Sequence, residues 1–163
     1  MVQRAVSETP IRIVAAGTAR DAYLPLLRLA DDSESEVRGY YQAGDLYVID
    51  DDAGRPLGLI LAIPLPDGAV ELKAVAVDAE RQGEGIGKRL IRDVLADLKE
   101  GGVTRVVVGT GSAGIGPLAL YQKAGFRLWR IERDYFTPAR GYPDGLAENG
   151  IPLRDMVWLD LDL

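Results

Sequence analysis

The 163-residue sequence contains no cysteine and no histidine. The absence of cysteine excludes disulfide bonds and thiolate nucleophiles, and the absence of histidine excludes Ser-His-Asp and Cys-His catalysis. Zinc sites built from Cys and His ligands are excluded as well, and we expect no bound metal. Any general base must therefore be a carboxylate, a tyrosine, a lysine or a chain terminus, acting directly or through water.

Long apolar runs and an excess of positive charge are also missing. No run approaches the roughly 18 apolar residues of a membrane span, and no secretory signal core precedes Ile11. The net charge of −6 disfavours nucleic-acid binding, which relies on a basic surface. We therefore predict a cytoplasmic protein without membrane or nucleic-acid partners, folded as one domain over residues 1–163. The acidic balance favours a cationic small molecule or a basic peptide as ligand.

Glycines are concentrated in the segment Val75–Leu90, where a predicted strand meets a predicted helix. Glycines at a helix start let backbone N–H groups approach a ligand closely, and the helix dipole favours an anion there. The segment is therefore predicted to bind a phosphate group. It does not match a Walker loop, because Arg89 stands where Ser or Thr is needed. It does not match a dinucleotide fingerprint either, because Lys88 replaces the third glycine.

Alternating and helical patterns predict the other elements. Ser33 and Glu36 have the spacing of a capping box, and Thr18 with Asp21 is predicted to cap the first helix. Strands are predicted at 11–15, 46–49, 57–63, 70–77, 103–108, 126–133 and 156–163. Helices are predicted at 18–30, from 33, at 85–99 and at 118–124. The order predicts an α/β protein of α+β type, with a mixed, mostly antiparallel twisted sheet of about seven strands and helices on both faces. Parallel pairing is expected across the helix at 85–99.

A second motif, Leu120-Tyr-Gln-Lys-Ala-Gly-Phe126, places a tyrosine four residues before Gly-Phe. Together with Gln82-x-x-Gly85-x-Gly87, it resembles the GNAT superfamily of N-acetyltransferases. The resemblance is strong over about residues 70–133 and looser over the whole chain. Residues 148–156 also resemble an uncharacterised bacterial GNAT subgroup. The chain departs from the family near Gly114, where an asparagine is frequent, so the path of the pantetheine arm there is left undefined.

The resemblance implies a reaction and assigns the residues that carry it out. It implies direct transfer of an acetyl group from acetyl-CoA to a primary amine of a small molecule or peptide, through a ternary complex and without a metal. It assigns Glu71 as the general base acting through water and Tyr121 as the general acid. It assigns cosubstrate binding to the strand before the loop and to the loop itself, namely Val75, Ala76, Val77, Gln82, Gly83, Glu84, Gly85, Ile86, Gly87 and Lys88.

Two other functions fit parts of the sequence. One is a CoA-binding sensor module without turnover, which would use the same motifs. The other is an NAD(P)-dependent oxidoreductase, because Gly109-x-Gly111-x-x-Gly114 follows a predicted strand and Glu132 lies about twenty residues further on. Pro117 interrupts the helix that this fingerprint needs.

Further expectations concern geometry and partners. Strand alternation places Glu71, Lys73, Val75 and Val77 on one face. The C-terminal strand is predicted to offer an edge through which a homodimer could form. Aromatic and acidic side chains are expected to line an acceptor pocket: Tyr40, Tyr41, Tyr135, Tyr142, Asp144 and Glu148.

Overall fold

The computed structural model describes residues 9–163. Its strands are β1 (Arg12–Val14), β2 (Asp45–Asp50), β3 (Pro56–Pro64), β4 (Val70–Val77), β5 (Arg105–Gly111), β6 (Arg127–Glu132), β7 (Ala147–Glu148), β8 (Ile151–Pro152) and β9 (Met156–Asp162). Its α-helices are α1 (Leu24–Ala30), α2 (Glu34–Tyr40), α3 (Ile86–Glu100) and α4 (Ile115–Lys123). Short 3₁₀ turns lie at Thr18–Tyr23, Ala79–Arg81 and Pro138–Arg140. None of the helices within residues 9–163 combines the length and the apolar character that a membrane span requires.

Seven strands form one sheet in the order β1-β2-β3-β4-β5-β9-β6. Only β4 and β5 pair in parallel, and the other neighbours within the described sheet are antiparallel. One apolar cluster lies between the sheet and α3, and a second lies between the opposite face and α1 and α2. The predicted mixed sheet with helices on both faces is confirmed.

The helix α3 forms as its periodicity predicts. Ile86, Leu90, Ile91 and Val94 are at most 1% exposed and pack against the sheet. This stripe recurs at helical spacing, so a single face is removed from water. Gly101 and the following glycine end the helix.

The first half of the chain departs from the sequence prediction. The predicted helix over 18–30 is divided into a 3₁₀ turn and α1, and Thr18 does not cap it, since Gly17 holds that position without a side-chain bond. Pro25 lies in the first turn of α1, where its missing N–H costs nothing, rather than in a helix interior. Ser33 caps α2 as predicted, because its hydroxyl accepts a hydrogen bond from the Glu36 backbone N–H. The reciprocal bond of a capping box is replaced, since the Ser33 backbone N–H donates to Asp31 rather than to Glu36.

The C-terminal strand is not an edge. β9 lies between β5 and β6 and is paired on both sides, so the prediction of a dimer through this strand is wrong. β6, which precedes it in sequence, occupies the edge instead. The intervening chain, residues 133–155, contains a two-stranded β7–β8 hairpin that is separate from the main sheet.

A buried arginine organises the segment before α1. Arg20 is 1% exposed, and its guanidinium donates to the backbone carbonyls of Val14, Tyr41, Ala43 and Gly44 at 2.7–3.1 Å. These four carbonyls belong to the end of β1 and the connection from α2 to β2. One side chain therefore satisfies four backbone acceptors from two separate segments.

We predict that Arg20→Met destabilises the fold by about 3–5 kcal/mol, because four carbonyls lose a donor in the interior. Urea unfolding measures the change. Arg28→Met is the matched control, because Arg28 makes only an exposed ion pair with Glu34; its unfolding midpoint should not move measurably. Equal midpoints for the two variants would show that the Arg20 hydrogen bonds do not stabilise this segment.

Candidate active site

The parallel strands β4 and β5 pair over only three residues. Val70–Leu72 pair with Val106–Val108, and beyond this point the strands separate. β4 continues to Val77 bonded only to β3, and β5 continues to Gly111 bonded only to β9. Within the described chain, no strand covers the open edge of β4. Val75, Ala76 and Val77 lie on this edge, so their backbone groups on that side are available to a ligand.

A β-bulge lies at the point of separation. Leu61 pairs with Ala74 and Ala62 pairs with Leu72, so Lys73 is an extra residue in β4. A bulge bends its strand and shifts which side chains share a face. The expectation that Glu71, Lys73 and the two valines share a face is therefore wrong. Lys73 stacks on the Tyr40 ring in the α1–α2 layer, 5.1 Å from its centroid; Val75 and Val77 pack on the side of α3.

The predicted phosphate loop has an open helix end. Gly83 and Gly85 adopt the left-handed backbone region, with φ of 84° and 81°, and a Cβ on either would point into open space. No side chain caps the N-terminus of α3, so its first N–H groups remain available to an anion. Gln82, Glu84 and Lys88 are exposed, whereas Gly87 is half-buried and the Ile86 side chain is buried, so Ile86 offers only backbone groups.

Two of the three basic residues near this loop are engaged within the chain. Arg81 pairs with Glu84 at 2.6 Å and Arg89 pairs with Asp93 at 3.4 Å. Lys88 lines a groove between α3 and α4, together with Arg89, Arg92 and Lys123. The groove extends from the N-terminus of α3 and has a volume of about 1100 Å³. Lys123 was not identified from the sequence, because only helix packing brings α4 beside α3.

A second cavity lies where β4 and β5 separate. Its volume is about 260 Å³, and Glu71 and Tyr121 both line its wall. The two predicted catalytic residues are thus brought together from β4 and α4, although fifty positions separate them in sequence. The cavity also borders Gly109–Gly111 of β5 and the segment 135–158.

The Glu71 carboxyl is largely removed from water. Its side chain is 16% exposed, and its closest cation is the Lys73 ammonium at 3.9 Å. Burial raises the pKa of Glu71 above its ordinary value, and Lys73 opposes this shift only in part. A carboxyl with a raised pKa is a stronger base once ionised.

The Tyr121 side chain is buried. Tyr121 is 6% exposed and packs edge-on against Phe126, with ring centroids 5.9 Å apart. Among the described residues, its hydroxyl has no hydrogen-bond partner. Burial raises the pKa of Tyr121 well above its ordinary value, so the hydroxyl keeps its proton. The α4 helix that carries it begins at Ile115, three residues earlier than predicted.

The far wall of the cavity is acidic and aromatic. Tyr135, Tyr142 and Glu148 line it as expected. Asp31 and Asp32 also line it and were not identified from the sequence, since nothing in the pattern after α1 marks them. Burial and the neighbouring Asp31 raise the pKa of Asp32.

Asp31 is fixed by hydrogen bonds from two tyrosines. The Tyr142 hydroxyl donates to it at 2.8 Å and the Tyr40 hydroxyl donates at 3.1 Å. Tyr40 thus supports the wall from behind rather than forming it. Tyr41 donates to Asp21 elsewhere, and Asp144 does not line the cavity, so these two expectations are wrong.

The glycines of the Gly109–Gly114 segment have a packing role. A Cβ on Gly109 would lie 3.0 Å from both Met156 and Trp158, and one on Gly111 would overlap Leu153. β5 is flanked by one parallel and one antiparallel neighbour, which is not a doubly wound dinucleotide-binding sheet. The oxidoreductase interpretation therefore fails. Pro117 does not exclude a helix here, because it lies in the first turn of α4.

Comparison with known proteins gives consistent matches. The family model described as the acetyltransferase (GNAT) family matches residues 18–126, more than half of the chain. An uncharacterised N-acetyltransferase of Bacillus subtilis is 38% identical over 154 residues, covering 94% of this chain and 97% of that protein. A GNAT family acetyltransferase of Elizabethkingia anophelis, solved with acetyl-CoA bound, is 34% identical with a TM-score of 0.84, covering 94% and 97% of the two chains. A Bacillus subtilis acetyltransferase in complex with CoA is 35% identical with a TM-score of 0.84, covering 96% and 99%.

We predict that Glu71→Gln stabilises the fold at pH 8 and leaves its stability nearly unchanged at pH 4. The pKa of the folded carboxyl lies above the ordinary 4.5, so the folded state binds the proton more tightly than the unfolded state. Stability is therefore lost as pH rises from the unfolded pKa through the folded one, and a neutral amide avoids that loss. Thermal unfolding of the variant and the wild type at both pH values measures this difference in stability. A lower melting temperature for the variant at pH 8 would show that the Lys73 pair outweighs burial.

Proposed function

Because the chain belongs to the acetyltransferase (GNAT) family, we propose that it transfers the acetyl group of acetyl-CoA directly to the primary amine of a small molecule, within a ternary complex. The decisive observation is that one cavity at the β4–β5 separation holds both Glu71 and Tyr121. A half-buried carboxyl and a buried phenol on the wall of one cavity suit a reaction that removes one proton and supplies another. Neither of these proton-transfer roles requires a covalent intermediate with the enzyme.

Two surfaces of the protein are proposed to bind the donor, acetyl-CoA. The open edge of β4 at Val75–Val77 offers backbone groups to the pantetheine arm, as an added strand would use them. The N-terminus of α3 offers uncapped N–H groups to the pyrophosphate, and Lys88 and Lys123 in the adjoining groove add positive charge. Gln82, Gly83, Gly85 and the rest of the loop thereby act mainly through their backbone.

Glu71 is proposed to accept the proton of the attacking amine through water. An aliphatic amine with a pKa near 10.4 costs about 4–5 kcal/mol to hold neutral at pH 7. Because the pKa of the Glu71 carboxyl is raised, the difference between its pKa and that of the amine is smaller. Acetyl-CoA supplies the acetyl group as a thioester, whose C–S bond breaks as the amine nitrogen forms the new C–N bond.

Tyr121 is proposed to protonate the departing thiolate. Its hydroxyl carries a proton at neutral pH, as an ordinary phenol does, and burial raises its pKa further. The hydroxyl is also not engaged with another described residue, so it is available to a leaving group.

The acceptor is proposed to be a small cationic amine. Four carboxylates line the cavity against a single cation: Asp31, Asp32, Glu71 and Glu148 against Lys73. A volume of about 260 Å³ suits a small molecule better than a folded protein surface. The tyrosines of the far wall add aromatic faces that attract cations.

Thiol release from acetyl-CoA tests this function, using a panel of small amines that carry one to three positive charges. Amine-dependent release that grows with the charge of the amine is expected. Calorimetry with acetyl-CoA, CoA, NAD and NADP accompanies it. CoA binding without thiol release for any amine would favour a sensor module over an enzyme, and NAD binding without CoA binding would refute both.

Tyr121→Phe is expected to lower kcat by about 10²–10⁴-fold while the affinity for CoA is retained, because only the proton donor is removed. Steady-state kinetics measure kcat, and calorimetry measures the affinity for CoA. Tyr135→Phe is the matched control, since Tyr135 is also 6% exposed and lines the same cavity. If Tyr135→Phe is the variant that loses turnover, the acid is misassigned.

Gly85→Ala is expected to raise the Kd for CoA about tenfold. A side chain disfavours the left-handed backbone by about 1–2 kcal/mol, so the turn that presents the α3 N–H groups will shift. Gly68→Ala in the β3–β4 turn is the control: its φ is 88° and a Cβ there also meets open space. It should cost similar stability and leave the Kd unchanged. Equal Kd values for the two variants would place the phosphate site elsewhere.

A further inference from the structure

The edge strand β6 exposes three large apolar side chains. Leu128 is 61% exposed, Trp129 is 47% exposed and Ile131 is 65% exposed. One side of β6 pairs with β9, and in the described part of the chain no strand pairs with the other. An open edge with exposed apolar residues is a template for pairing with another strand.

A bulge sorts these residues onto two faces. Leu128 pairs with Leu159 and Ile131 pairs with Val157, and both partners pack on the α3–α4 side of the sheet. Leu128 and Ile131 therefore lie on one face, although they are three positions apart. Trp129 is on the other face, where the Arg130 guanidinium lies 4.9 Å from its ring centroid.

The strand is complementary to itself. In an antiparallel pair of two β6 strands centred between Trp129 and Arg130, each residue meets the one at the mirrored position. Arg127 then faces Glu132, Leu128 faces Ile131, and Trp129 faces Arg130. A twofold axis perpendicular to the sheet keeps each face on its own side, so the two apolar residues meet on the α4 face of both chains. Opposite-charge, apolar and cation–aromatic pairs are the cross-strand contacts that stabilise sheets.

We propose that two copies of this chain pair along β6 to form a homodimer with one continuous sheet. The charges support this choice of partner. Within the described residues Arg127 makes no ion pair, and Glu132, about one third exposed, makes only long ones of 3.8 Å to Arg130 and Arg140. In the dimer, the Arg127 guanidinium of each copy gains the Glu132 carboxylate of the other copy as an ion-pair partner. The contact forms twice by symmetry.

The opposite edge of the sheet is not suited to pairing. β1 has only three residues, and its Arg12 is held by Asp50 at 2.7 Å. Short edge strands that carry engaged charges resist association. Its one exposed large apolar residue is Ile13, at 51%.

Sedimentation equilibrium of the full chain over a range of concentrations tests the proposal. The wild type is expected to sediment as a dimer, and Leu128→Lys as a monomer, because each lysine faces Ile131 of the other copy. Ile13→Lys is the matched control at the other edge and should remain a dimer. A wild type that is monomeric up to its highest soluble concentration, or dissociation by Ile13→Lys, would overturn the proposal.

The register is tested by charge exchange between chains. Arg127→Glu places two carboxylates opposite each other, and Glu132→Arg places two guanidinium groups opposite each other, so each variant alone should dimerise about tenfold more weakly. Mixing the two variants creates opposite charges at both positions, and heterodimers should form with wild-type affinity. Homodimers of either variant as tight as wild type, or no heterodimer on mixing, would overturn this pairing. Circular dichroism confirms that each variant is folded.

Discussion

The short parallel pairing between β4 and β5 is the constraint on which the rest of the site depends. The strands share three residue pairs, and the bulge at Lys73 follows the last of them directly. Because a bulge bends its strand, β4 turns away and its backbone edge stays open. Glu71, before the bulge, lies on the cavity wall, whereas Val75 and Val77, after it, pack toward α3. One extra residue thus separates the surface proposed for the donor from the surface proposed for proton transfer.

A chain without histidine must obtain its acid and base from residues whose ordinary pKa values are poorly matched to neutral pH. Burial provides the adjustment here, and it acts on the two groups with different consequences. It raises the pKa of Glu71, and it raises the pKa of the Tyr121 phenol, which stays protonated. The two groups start about six pKa units apart, so the same desolvation is compatible with the proposed role of Glu71 as base and of Tyr121 as acid.

The segment between β6 and β9 links the site to the sheet edge. It carries Tyr135 and Tyr142 across the cavity, where the Tyr142 hydroxyl anchors on Asp31 and the Ser33 hydroxyl donates to the Arg140 carbonyl. It then returns as β9 between β5 and β6. This path covers the far wall of the cavity and leaves β6 outermost. The proposed acceptor wall and the proposed dimer surface are therefore two consequences of one connection.

What the sequence determined by itself is local. The strand leading to Val77, the left-handed glycines of the loop, the apolar face of α3 and the Ser33 cap each depend on residues a few positions apart, so spacing was sufficient to predict them. The family resemblance also assigned roles to Glu71 and Tyr121, which remain predictions. Only the tertiary structure decided the rest: the place of β9 between β5 and β6, the bulge at Lys73, the burial of Arg20 and the meeting of Asp31 with Tyr142. These features depend on which distant segments compete for the same strand edge or buried donor, and no local pattern records the outcome of that competition.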